Sequence, residues 1–239
     1  MRLKGTILAL GLVCAMALPA AAETLLTKRN TGERLLEPQT TTVWLGENLI
    51  REDQGTRSFI ADLNENKIYL VRHDAQVYHV FDYPIDFKKV APPDVHPFLD
   101  QLQAQMAMDV EITELEERKE VNGFATQAYD VSIKSPMGID LALKLWVADE
   151  LPFDIDNFKL LRLAIASANP SSVEMVEKVM KIPGFPILNE TSTKYNDQEF
   201  QTKEELISIE TKDAPEGTFA PPAGYNREPF DYTKVLPIG

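Results

Sequence analysis

Apolar residues recur at every second position through much of this chain. The clearest run is Ile139, Leu141, Leu143, Leu145 and Val147, interleaved with Asp140, Ala142, Lys144 and Trp146. One apolar face and one mostly polar face predict a half-buried antiparallel strand. Just upstream, Tyr129, Val131 and Ile133 alternate with Asp130, Ser132 and Lys134, and Pro136-Met137-Gly138 supplies the turn between the two runs. Asn122-Gly123 is the residue pair favoured by two-residue type I′ hairpins. It joins the segment Val110–Glu120 to the one opening at Phe124, so a three-stranded meander is expected.

The N-terminal third repeats this style with shorter segments. Thr41–Leu45 and Asn48–Asp53 flank a brief break, Arg57–Leu63 and Lys67–Arg72 flank Asn64-Glu65-Asn66, and Ala75–Phe81 follows a turn at His73-Asp74. Short strands separated by turn residues read as an antiparallel sheet. Two more strands are expected near Leu188–Tyr195 and Glu205–Lys212.

Period 3.6 takes over at three places. Pro92-Pro93-Asp94 is a helix start with Asp94 as N-cap, after which Val95, Phe98, Leu102 and Met106 share one face. A second helix opens at Asp154 or Asp156. Phe158, Leu161 and Ile165 line one side of it, yet Leu160, Leu163 and Ala164 make it apolar nearly all round. Such a helix needs burial on more than one side. After Asn169-Pro170 a third helix carries Val173, Val176 and Met180, with Glu174 and Lys178 paired at i,i+4. The last stretch, Asp213–Gly239, is rich in Pro and Gly but holds Phe219, Tyr225, Phe230 and Tyr232. Aromatics are scarce in disordered tails, so it reads as an extended strap on the body.

The N-terminus changes the compartment. Arg2 and Lys4 precede an apolar run, Ile7–Leu18, and then Pro19-Ala20-Ala21-Ala22. This is the three-part pattern of a cleavable leader with the cut before Glu23. The run is shorter than the roughly 20 residues that span a bilayer. Cys14, the only cysteine, is preceded by Leu12-Val13, a poor lipidation site, and it leaves with the leader. The mature protein is therefore expected to be periplasmic or secreted, without disulfides and without a transmembrane anchor, and to be held together by its core. The formal net charge is −13, and the leader removes two positive charges. Nucleic acid is excluded as a partner by that sign.

Motifs for chemistry are scarce. His73, His79 and His96 have no helical i,i+4 spacing and no cysteine near them, so no metal site is expected. Asp154-Ile155-Asp156-Asn157 lacks the glycine and closing glutamate of a calcium loop and reads as a helix cap. There is no Gly-x-Ser-x-Gly elbow and no glycine-rich phosphate loop. Neither a catalytic residue nor a cofactor is expected, and the chain reads as non-enzymatic.

Several segments together carry a resemblance. Val43-Trp44-Leu45-Gly46-Glu47-Asn48-Leu49-Ile50-Arg51, then Phe59–Leu63 with Lys67-Ile68-Tyr69, resemble paired strands in an uncharacterised family of exported bacterial proteins. Val121-Asn122-Gly123-Phe124 before Tyr129, Leu145–Ala148 before Leu151-Pro152, Pro183–Pro186 and Phe219–Tyr225 are similar too, in the same order. That family is similar to the periplasmic lipoprotein carriers of the LolA and LolB type. The resemblance implies an antiparallel half-barrel whose open side is closed by helices over an apolar cavity, and it transfers no defined site residue.

The expected architecture is thus α+β: a curled antiparallel β-sheet, or half-barrel, covered by a few α-helices. Residues 1–22 form the leader, 23–212 the sheet with its helical cover and 213–239 the strap. Two functions compete. A loosely fitting cover leaves a pocket for a lipid or acyl chain, lined by Phe98, Leu102 and Met106 from one helix and Phe158, Leu161 and Ile165 from another. A tightly fitting one gives a filled core and a structural or protein-interaction domain with an envelope protein partner.

Overall fold

A computed structural model describes residues 22–86, 89, 91–97, 108–135, 138–167, 173–196 and 198–230. Residues 1–21 of the expected leader, most of the expected helix at Val95–Met106 and the last nine residues lie outside the described residues. Within them runs one curled, unclosed sheet of twelve strands in the order β12-β6-β5-β4-β3-β2-β1-β11-β10-β9-β8-β7. The strands are β1 (Glu23–Gly32), β2 (Gln39–Gly46), β3 (Leu49–Gln54), β4 (Arg57–Asp62), β5 (Lys67–Arg72), β6 (Val77–Asp82), β7 (Asp109–Val121), β8 (Phe124–Lys134), β9 (Ile139–Ala148), β10 (Phe185–Tyr195), β11 (Gln198–Lys212) and β12 (Asn226–Arg227). Two α-helices join them among the described residues, α1 (Ile155–Ala166) and α2 (Val173–Val179).

Local chemistry explains the turns. Asn122 and Gly123 both have positive φ, 52° and 84°, as the two-residue hairpin requires. Asn48, Gly55, Asn66 and Gln76 take left-handed φ in the β2–β6 meander. At the helix start, Pro93–Val95 forms a 3-10 turn without a side-chain cap, so Asp94 does not cap it. Asp154 does cap α1, accepting from the Asn157 amide at 2.9 Å.

A row of cross-strand partners builds the inner face: Leu45 opposes Ile50, Ile50 opposes Ala61, Ala61 opposes Ile68, and Ile68 opposes Phe81. Helix α1 packs over β3 and β4 and joins Phe158, Leu161, Ala164 and Ile165 to this cluster. A second cluster uses the opposite face of β8 and β9. Tyr129, Val131, Ile133, Leu145 and Val147 are buried there with Ile182, and Leu141, Leu143, Met175 and Val179 are partly covered. The alternation in β9 therefore holds, with Leu145 and Val147 buried and Leu141 and Leu143 partly covered, but the opposite face is covered as well. Trp146 belongs to the main core at 5% exposure, because the sheet is covered on both faces at this point.

From Asp213 the chain crosses the outer face of β3–β6. Arg51 Nη1 donates to the Thr218 carbonyl at 3.1 Å. β12 then adds a parallel pair to the edge of β6, with the Asn226 amide donating to Gln76 O and the Glu228 amide to Tyr78 O, both at 3.0 Å. Phe230 finishes on the inner face, its ring centroid 5.0 Å from that of Phe81. This segment covers an edge strand whose free amides would otherwise invite pairing.

Candidate functional site

Helix α1 has apolar side chains on two sides, and the two sides do different things. Phe158, Leu161 and Ile165 point into the core at 5%, 0% and 9% exposure. The Phe158 ring lies edge-on to Phe185, at 4.9 Å, and to Phe153, at 6.2 Å. The other three residues read from the sequence as pocket lining, Phe98, Leu102 and Met106, lie outside the described residues.

The surplus apolar residues of α1 face α2. Leu160 and Leu163 line a groove of about 310 Å³ with Met180, and Lys159, Lys181 and Glu177 form its rim. Leu160 remains 46% exposed. Lys159 ties the two helical segments together by donating to the Ile182 carbonyl at 2.8 Å. The periodicity of α1 signalled an excess of apolar surface. It did not show that Leu160 and Leu163 meet Met180 at a groove between the helices.

Below the core, α1 meets charged groups on the same face of the sheet. Arg162 pairs with Glu52, and Lys28 donates to Glu204 at 2.9 Å. Lys28 is 9% exposed, which only a partnered cation sustains. Burial opposes ionisation of Glu204, but the charge and hydrogen bond of Lys28, with a smaller pull from Arg162, outweigh it and hold the carboxyl below its usual range.

A third polar assembly sits between the meander and the segment across it. Ser58 Oγ lies 2.6 Å from His73 Nε2 and also donates to Asp53, while Arg51 pairs with Asp53 at 2.8 Å. The other nitrogen of His73 lies 3.0 Å from the Tyr225 hydroxyl. A serine beside a histidine suggests a nucleophile and its base. Here the serine is 1% exposed, and the histidine is oriented by a phenol 152 residues away in sequence. The arrangement fastens the C-terminal segment to the sheet. Sequence separation hid it: nothing local marks Tyr225 as the partner of His73.

Among the described residues no group of three or more His, Cys, Asp or Glu side chains is arranged to hold a metal ion. No described helix is long and apolar enough to cross a membrane.

No curated protein matches the sequence. Solved structures do. PNGF-II aligns at 12% identity and a TM-score of 0.44, over 90% of this chain and 32% of its own. MucB in complex with MucA(peri) aligns at 12% identity and a TM-score of 0.34, over 84% of this chain and 55% of its own. A domain assigned to outer membrane lipoprotein sorting, from Vibrio parahaemolyticus, aligns at 8% identity and a TM-score of 0.27, over 84% of this chain and 90% of its own. The chain thus spans about a third of the first of these proteins and just over half of the second. Likenesses of this degree carry nothing about what this chain binds. The sequence itself matches one family over residues 46–225, about three quarters of its length, and the chain belongs to that family, Domain of unknown function (DUF4412).

Proposed function

We propose that this protein is a non-enzymatic binding domain of the cell envelope that holds an amphiphile in the groove between α1 and α2. The single observation that carries the reading is the half-exposed Leu160, set beside Leu163 and Met180 with two lysines, Lys159 and Lys181, against one carboxylate, Glu177, at the rim. An apolar floor suits an acyl chain, and an ammonium rim suits an anionic headgroup. Met180 supplies an adaptable wall. The leader pattern at Arg2–Ala22 supports export.

A second reading rests on a different observation. Phe158, Leu161 and Ile165 are buried in one cluster with Phe185, against which Phe153 packs, as residues of a filled core would be. A filled interior favours a structural or protein-interaction domain. Fluorescence titration with cis-parinaric acid separates the two. Saturable binding is expected for the wild type, and Leu160→Glu is expected to weaken it by about tenfold or more, since a charge replaces buried apolar contact. A folded wild type that binds no probe leaves the interaction domain as the reading.

A further inference from the structure

The register between β7 and β8 slips between Glu114 and Arg118. The bulged strand opens a groove of about 460 Å³ on the side of the sheet away from α1, lined among others by Glu114, Arg118, Glu120, Tyr129, Val147, Asp149 and Pro183. Tyr129 is the informative residue. Its ring is part of the buried cluster with Leu145 and Val147, and the residue is only 6% exposed. Its hydroxyl has no hydrogen-bond partner among the described residues, although no fully buried side-chain polar atom there lacks one. The phenol oxygen therefore opens into the groove. Glu114 stands opposite Tyr129 in the β7–β8 register, and both line the groove with Arg118 and Asp149. Burial chiefly, then Glu114 and more weakly Asp149, push the Tyr129 pKa up against the pull of Arg118.

The charges of the groove are unevenly engaged. Arg118 Nε donates to Gln127 Oε1 at 2.7 Å, and Lys119 Nζ sits 3.6 Å over the Trp146 ring. Glu114, Glu120 and Asp149 have no ion pair among the described residues. The groove adjoins a second recess that shares Asp149 and Pro183 with it and is also lined by Glu150, Asp154, Asp156 and Lys159. Lys159 is engaged by the Ile182 carbonyl and Asp154 by the Asn157 amide, which leaves Glu150 and Asp156 on the far side of Pro183.

We infer that this groove binds a linear alkyl diamine, with one ammonium group held by the Tyr129 hydroxyl, Glu114 and Asp149. The alkyl stem lies over Val147 and Pro183, and the second ammonium meets Glu150 and Asp156. The phenol accepts a hydrogen bond from the first ammonium, and the two carboxylates pair with its charge. The volume suits a small molecule.

Calorimetric titration of the full chain with pentane-1,5-diamine at low ionic strength tests this. One-to-one binding is expected, weakened about tenfold by Tyr129→Phe, as for a hydrogen bond to a charged group. Glu114→Gln combined with Asp149→Asn is expected to weaken it at least as much, and this pair decides the matter if Tyr129→Phe fails to fold. Pentylamine is expected to bind more weakly than the diamine. Glu65→Gln, in the distant β4–β5 turn, is expected to change nothing, and neither is Leu160→Glu in the α1–α2 groove. Absence of binding by the wild type, equal binding of pentylamine, or an equal loss in Glu65→Gln would overturn the inference, because each points to attraction by net charge alone.

Discussion

The two halves of the sheet are built from the same alternation and reach different ends. Strands β2–β6 are six to eight residues long and pair without a register slip. Strands β7–β11 are ten to fifteen residues long, and bulges interrupt β7–β8 and β9–β10. The first half is closed on both sides, by α1 within and the C-terminal segment without. The second half is covered by α2, which buries no residue fully, and its β7–β8 bulge opens a groove. Bulges bend a strand and leave its ladder locally incomplete. Short regular strands therefore make the scaffold here, and long irregular ones make the recesses.

The largest expected effect sharpens that contrast. Leu161 on α1 is fully buried, whereas Met175 on α2 is partly covered. Leu161→Ala is expected to lower unfolding free energy by about 2–5 kcal/mol in urea titrations. Met175→Ala is expected to cost about 1 kcal/mol, near the centre of ordinary substitutions. An equal or larger loss at Met175 would break the comparison, since α2 would then be as much a part of the core as α1.

Legibility in the sequence follows the same division. The meander β2–β6 was readable because each strand is short and punctuated by residues such as Asn48, Gly55 and Asn66 that accept left-handed φ. The β7–β8 hairpin was readable from Asn122-Gly123 for the same reason. Strand β1 was not. Thr24, Leu25 and Leu26 are buried in succession, so no alternation marks them, and the partners of β1 in β11 lie far away in sequence. Alternation puts Trp146 on the polar face of β9, because Lys144 and Asp140 share its parity. Lys119 and Lys144 in fact lay their ammonium groups over its ring, at 3.6 Å and 5.2 Å. In the site, the apolar excess of α1 was visible. The groove at Leu160 and Leu163 depends on where α2 docks, and local periodicity carries no such information.

A smaller effect is expected where α1 meets the charges beneath it. The Glu204 carboxyl is held below its ordinary range in the fold. Its partnership with Lys28 therefore contributes stability at neutral pH. The contribution is expected to fade as pH falls below the ordinary glutamate value of about 4.5 and through the lowered folded value. Melting curves between pH 7 and pH 3 check this. Glu204→Gln is expected to melt lower than the wild type at pH 7, with the difference shrinking towards pH 3. A difference that stays constant with pH would show that the carboxylate charge contributes nothing to the junction between the halves.

The smallest effect tests whether the outer cover of β3–β6 belongs to the scaffold or merely rests on it. Tyr225 holds His73 from one side while Ser58 holds it from the other. Tyr225→Phe keeps the ring, which lies edge-on to His73 at 5.7 Å, and removes only the hydroxyl. The loss of one hydrogen bond is worth about 0.5–1.5 kcal/mol. The histidine keeps its serine, and the inner face keeps every contact of α1, so the global unfolding transition is expected to move little. The change should appear locally. Hydrogen exchange at the amides of Asn226 and Glu228, which pair with the edge of β6, is expected to quicken, while the amides of β3 and β4 keep their protection. Quickened exchange throughout β3–β6 would mean that the C-terminal segment and the meander open as one unit. The regular half of the sheet would then owe its closure to this latch as much as to α1.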